Sequence, residues 1–200
     1  MIRPKGFTII ELVVVMTIMA ILLTLGVASF NSSQAKARDS ERAGDVGTIA
    51  KALEARYLKG NPLVSASYIT QGAYPSVNEI LQAENKAVTG LSSPTSVTLT
   101  QILPGTAINN FYPPNVSQTT DVSTTFKVIC TSATAAPCNG NAAAENSATI
   151  TAALNGSTSV YVYEPIDSSN NICFSAECVR YNLYYLPETG AMQTVASAHQ

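Results

Sequence analysis

The chain has 200 residues, enough for one ordinary domain with a long extension. Charged residues make up only 12% and the net charge is −2, so composition offers no basic surface for nucleic acid or an acidic membrane. Tryptophan is absent, and the one histidine, His199, reads as part of a frayed terminus with no nucleophile partner, which leaves general-base hydrolysis without a candidate.

Residues 7–30 read FTIIELVVVMTIMAILLTLGVASF, with Glu11 as the one charge. As a helix this run spans roughly 36 Å, enough to cross a bilayer core. Arg3 and Lys5 precede it without a balancing acid. The positive-inside tendency therefore puts the start of the chain in the cytoplasm and everything after residue 30 outside. A plain single-pass anchor fits this run, and so does a secretory signal peptide cut near Ala28. Neither explains Glu11. A carboxylate costs about 2.5–3.5 kcal/mol near the bilayer centre and less near its edge, so a residue kept there is a functional candidate whose partner should be named. Arg3 and Lys5 are the simple partners at the interface. A sharper one is the α-amino group that a cut after Gly6 would create on Phe7, four residues before Glu11, in the same chain or in a neighbour.

The run Lys5-Gly6-Phe7-Thr8-Ile9-Ile10-Glu11-Leu12, followed by the apolar segment, resembles the processing site of type IV prepilins and pseudopilins. The resemblance implies that a prepilin peptidase cuts between Gly6 and Phe7 and N-methylates Phe7. It implies that Glu11 neutralises the Phe7 amine of an adjacent subunit during assembly. Further partners follow from it: copies of the chain in a helical polymer, an assembly platform with its ATPase, and the membrane before assembly. The precursor would sit in the inner membrane with its head outside and end in a surface pilus for adhesion, twitching motility or DNA uptake. A pseudopilin of a type II secretion-like system and a minor tip pilin acting as a binding module are the alternatives. Loss of Arg3 and Lys5 takes Lys plus Arg from 11 to 9 against 13 acids, which argues against general nucleic-acid binding. Residues 37–42 with Asp45, and Tyr74-Pro75-Ser76, also resemble this family. One departure is Gly26 in an apolar helix where many major pilins carry proline.

No proline interrupts the chain between Pro4 and Pro62, so one helix should run from residue 7 to about residue 59. Val46, Ile49, Ala50, Leu53 and Tyr57 form an amphipathic stripe. Arg38 with Glu41, and Arg42 with Asp45, are spaced to pair on the solvent side. Gly60-Asn61-Pro62 stops the helix. Ser76-Val77-Asn78-Glu79 reads as a capping box opening a short helix over 76–87. Residues 89–125, rich in Ser, Thr, Asn and Pro, read as a long surface loop. Residues 126–130 read as a strand, and 149–154 and 159–164 as strands flanking the Asn155-Gly156 turn. Residues 179–185 alternate as a half-buried strand, Pro187-Glu188-Thr189-Gly190 turns it, and 191–196 return antiparallel. The expected fold is α+β: a long N-terminal helix packed on a small antiparallel sheet. Its parts are a leader at 1–6, a membrane and filament-core helix at 7–30, an amphipathic helix at 31–60 and a globular head at 61–200.

Cys130, Cys138, Cys173 and Cys178 all follow the apolar segment, which suits two disulfides in an oxidising compartment. Of three connectivities the local pairs Cys130–Cys138 and Cys173–Cys178 are favoured, because each closes a short loop. A four-thiolate zinc site, whose paired ligands usually sit two to four residues apart, fits the gaps less well. Asp167-Ser168-Ser169-Asn170-Asn171 has oxygens that calcium accepts but not the spacing of an EF-hand. Glu164, Glu177 and Glu188 read as solvated turn residues, and the tyrosines of residues 161–185 as packing. No cofactor, metal or catalytic site is expected.

Overall fold

The computed structural model describes residues 6–59, 71–83, 98–118, 121–129, 150, 154, 156–174 and 178–199. Helix α1 runs unbroken over Ile9–Lys59, 51 residues. Its two halves differ in what they meet. Every described side chain in residues 7–30 is exposed, whereas Val46, Ile49, Ala52 and Leu53 are buried in the head. Ala50 and Tyr57 complete that stripe as partly buried neighbours of the core. The 3.6-residue periodicity thus selects the face that packs.

Four strands form one sheet in the order β1-β2-β3-β4: β1 Phe126–Val128, β2 Tyr161–Ile166, β3 Arg180–Tyr185 and β4 Gln193–Ala196. The β2–β3 and β3–β4 pairs are antiparallel. The β1–β2 pair is parallel, with Phe126 opposite Tyr161, so the sheet is mixed and not purely antiparallel. Some thirty residues separate the two strands, long enough for the crossover that parallel neighbours need. Pro165 is tolerated in β2 because it lies beyond the end of β1. Its carbonyl accepts instead from Cys173 N at 2.9 Å.

The sheet lays Tyr161, Tyr163, Tyr181 and Leu183 against α1 as one buried cluster. Tyr184 departs from the alternation expected of residues 179–185. It is buried on the other face, and its hydroxyl donates to Glu164 Oε2 at 2.6 Å.

Helix α2, Val77–Ala83, starts where the capping box places it. Ser76 N donates to Glu79 Oε2 at 2.8 Å. The next amides are satisfied from outside, Val77 N by Cys173 O at 3.0 Å and Asn78 N by Phe174 O at 3.2 Å. Residues 84–87 of the expected helix lie outside the described residues.

The segment read as a surface loop holds part of the core. Short helices α3, Leu99–Ile102, and α4, Val122–Thr125, and a 3-10 turn at Ile108–Phe111 bury Leu99, Ile102, Leu103 and Phe111. Polar side chains start these turns, as in Thr98 N donating to Gln101 Oε1 at 2.8 Å and Ser123 N to Asp121 Oδ1 at 3.0 Å. Residues 149, 151–153 and 155 of the expected hairpin lie outside the described residues, and those described do not form it. Ile150 and Leu154, four residues apart, have helical backbone and are buried, and Ser157 N closes a turn on Leu154 O at 2.7 Å. The partners of β2 are β1 and β3.

Candidate functional site

Gly6, Phe7 and Thr8 precede the first turn of α1, fully exposed. A Cβ added at Gly6 would meet nothing within 4 Å. Among the described residues, no packing contact calls for glycine there. Phe7 is 86% exposed, and the apolar side chains after it find no cover in this chain. By length and composition α1 is able to cross a membrane. Arg3 and Lys5 lie outside the described residues.

Glu11 is answered by a residue that sequence reasoning passed over. Thr8 N and Thr8 Oγ1 donate to Glu11 Oε2 at 2.9 and 2.7 Å. In return Glu11 N donates to Thr8 Oγ1 at 3.4 Å. This is a reciprocal capping box, and the carboxylate also faces the positive end of the helix dipole. The signal was present as Thr8-x-x-Glu11 before an apolar run. Both bonds from Thr8 use Oε2.

The other sequence candidates sit far from this end. Cys173 and Cys178 are bonded, with S–S 2.01 Å and Cα atoms 5.5 Å apart. The pair ties the start of α2 to the sheet, because Tyr74 N donates to Cys178 O at 2.8 Å. Cys130, Cys138 and Glu177 lie outside the described residues. In the calcium-like loop Asp167 Oδ1 accepts from Ser169 N and Asn171 N, and Asn170 Oδ1 from Arg180. These oxygens serve the loop itself.

Among the described residues Arg38 does not pair with Glu41, nor Arg42 with Asp45. Arg38 holds Glu188 through two bonds, Nε–Oε1 2.7 Å and Nη2–Oε2 2.6 Å. Arg42 is 1% exposed, not solvated. It donates to Asp39 Oδ1, Glu188 Oε1 and Thr158 O, each at 2.9 Å. Asp45 instead accepts from Asn110 and Tyr161. Glu188 stays in the exposed turn after β3, and its carboxylate docks that turn on α1. Hydrogen bonds from Arg38 and Arg42 pull its carboxyl down to about 2. Burial works against charge on Asp39, but bonds from Thr189 and the backbone of residues 188 and 189 leave its carboxyl net lowered.

The geometry defines a chain with an exposed apolar lever, a capped carboxylate at its head and a globular domain clamped to its rear half. Residues 1–27 match the family model of the prokaryotic N-terminal methylation motif. The match supports a prepilin of the type IV pilin or pseudopilin kind, and with the apolar helix it points to a membrane-anchored precursor. No curated protein and no solved structure matches the chain.

Proposed function

We propose that this chain is a structural subunit of a type IV pilus, not an enzyme. It is made as an inner-membrane precursor, cut after Gly6, N-methylated at Phe7 and polymerised into a surface filament. The observation that carries this reading is the pairing of a methylation motif with an apolar half-helix whose described side chains are all exposed. Such a surface is covered first by lipid and then by copies of itself. Because lipid is as apolar as the helix, packing and polar contacts must drive the exchange. The Phe7 amine of one subunit and Glu11 of the next supply such a contact. A prepilin peptidase, an assembly platform and an ATPase are the partners this requires.

The test is the intact mass and N-terminal sequence of protein sheared from its native cells. A chain beginning at N-methylated Phe7 and abundant in the sheared fraction is the expected result. The same N-terminus confined to membranes would favour a pseudopilin or minor pilin. A chain beginning near Ser29 would overturn the proposal. Replacing Gly6 by a bulky residue is expected to leave uncut precursor in the membrane, read as a mass that retains residues 1–6.

A further inference from the structure

The three residues after β4 turn back onto α1. Ser197 N donates to Tyr181 O at 3.0 Å, and Ala198 N to Glu54 Oε1 at 3.0 Å. Ser197 Oγ donates to the His199 carbonyl at 2.9 Å. The His199 ring stacks on Tyr57 with centroids 4.0 Å apart and planes at 20°. The segment is docked, not frayed, and its imidazole is held in one place.

Three polar atoms from separate parts of the chain converge there. Glu54 Oε2 of α1, the Tyr74 hydroxyl before α2 and His199 Nδ1 form a triangle with edges of 2.9, 3.0 and 3.1 Å. Hydrogen bonds alone fill this triangle poorly. The phenol has one proton and Nδ1 at most one, so one edge is left as a shared bond or a contact between lone pairs. A cation answers all three lone pairs at once. Ligands about 2.1 Å from one metal ion and at right angles to each other lie about 3.0 Å apart, which is the size of this triangle. The carboxylate is already aimed, because Ala198 N and the Tyr181 hydroxyl, the latter at 3.1 Å, occupy Glu54 Oε1. The His199 and Glu54 side chains keep 42% and 25% of their surface, so an ion has a way in. Among the described residues no three His, Cys, Asp or Glu side chains gather, and the third donor here is a phenol.

We propose that Glu54, Tyr74 and His199 form a site for a divalent transition-metal ion of the zinc kind, with water completing its shell. The imidazole nitrogen favours such an ion over magnesium or calcium, which prefer oxygen ligands. The bound ion pins the end of the chain to α1 and to the segment before α2. The inference rests on the head alone and stands or falls separately from the filament reading.

The test uses the full untagged chain in detergent, without reductant, titrated calorimetrically with Zn2+. Saturable binding of one ion per chain is expected, undisturbed by excess Mg2+ or Ca2+. His199→Phe keeps an aromatic ring against Tyr57 and should weaken binding roughly tenfold or more, as should Glu54→Gln. Tyr74→Phe should weaken it by a smaller factor. The sequence holds a single histidine, so its labelled ring nitrogens report the ligand directly, with Nδ1 expected to carry the ion and Nε2 the proton. If Glu54→Gln fails to fold, because Tyr74 and Tyr181 also use that carboxylate, His199→Phe and the ring signals decide. Absence of saturable binding, or binding that survives His199→Phe, overturns the site. So does an ion carried on Nε2, which is the mark of an exposed histidine acting alone.

Discussion

Thr8 and Glu11 show how one carboxylate is made tolerable at the head of an apolar helix. The cap satisfies orphan donors at the helix start and offsets part of the cost of keeping the charge near lipid. Thr8→Val should remove it at about 1 kcal/mol, read as roughly fivefold faster amide exchange over residues 8–12 in detergent. Glu11→Val should still be cut after Gly6 yet fail to assemble. Normal amounts of sheared filament carrying this variant would count against the pairing role. A second pair is buried inside the head: Arg56 Nη2 meets Glu79 Oε1 at 2.5 Å. Arg56 Nε and Nη1 have no hydrogen-bond partner among the described residues. Glu79→Gln leaves that guanidinium buried without a counter-charge and should cost about 3–5 kcal/mol in denaturant melts. Adding Arg56→Met should recover most of the loss, because the uncompensated charge is then gone. At this scale the local patterns were legible: Glu11 as an anomaly, and Ser76 with Glu79 as a cap. The partners of Arg42 and Glu54 were not, since Glu188 lies 146 and His199 145 residues away and no spacing rule reaches that far.

Among the elements, α1 was fully legible because propensity, the absence of proline and the amphipathic stripe all agree. β3 and β4 were legible from the alternation of residues 179–185 and the turn at residues 187–190, where Gly190 takes φ 130°. The parallel β1–β2 pair was not, because a three-residue strand carries no period from which direction can be read. The buried turns of residues 98–118 were masked by composition, since Ser, Thr and Asn that start short helices look the same as loop. The turn after β3 also sets an acid sensitivity. Glu188 falls from its usual 4.5 to about 2 in the folded chain. Its contribution is complete above the unfolded value and is lost as pH falls toward the folded one. Glu188→Gln should therefore melt below the unaltered chain at pH 7, with the gap closing as pH falls from about 5 to about 2. A gap that stays constant across that window would show that the charge is not what docks the turn.

For the molecule as a whole, the Cys173–Cys178 bond closes a short loop between sheet and α2, five residues apart in sequence. Its removal by Cys173→Ser should cost about 2 kcal/mol by loop entropy, with a matching fall in the melting temperature of the unaltered chain under reductant. An unchanged melt would mean that the loop is held by its backbone bonds alone. The exposed half-helix is the part that no amount of head stability protects, so precursor removed from lipid without detergent should aggregate.

Besides the buried face it packs on the sheet, α1 holds the segments that follow β3 and β4 through two separated polar grips, Arg38, Asp39 and Arg42 on residues 188–189 at one end and Glu54 on residues 198–199 at the other. Residues 38–54 of a helix cover roughly 24 Å. A pull along α1 would load both grips in parallel and not one after the other, as in a lap joint. Tension on the rod would therefore be shared by the whole hairpin before either end could peel.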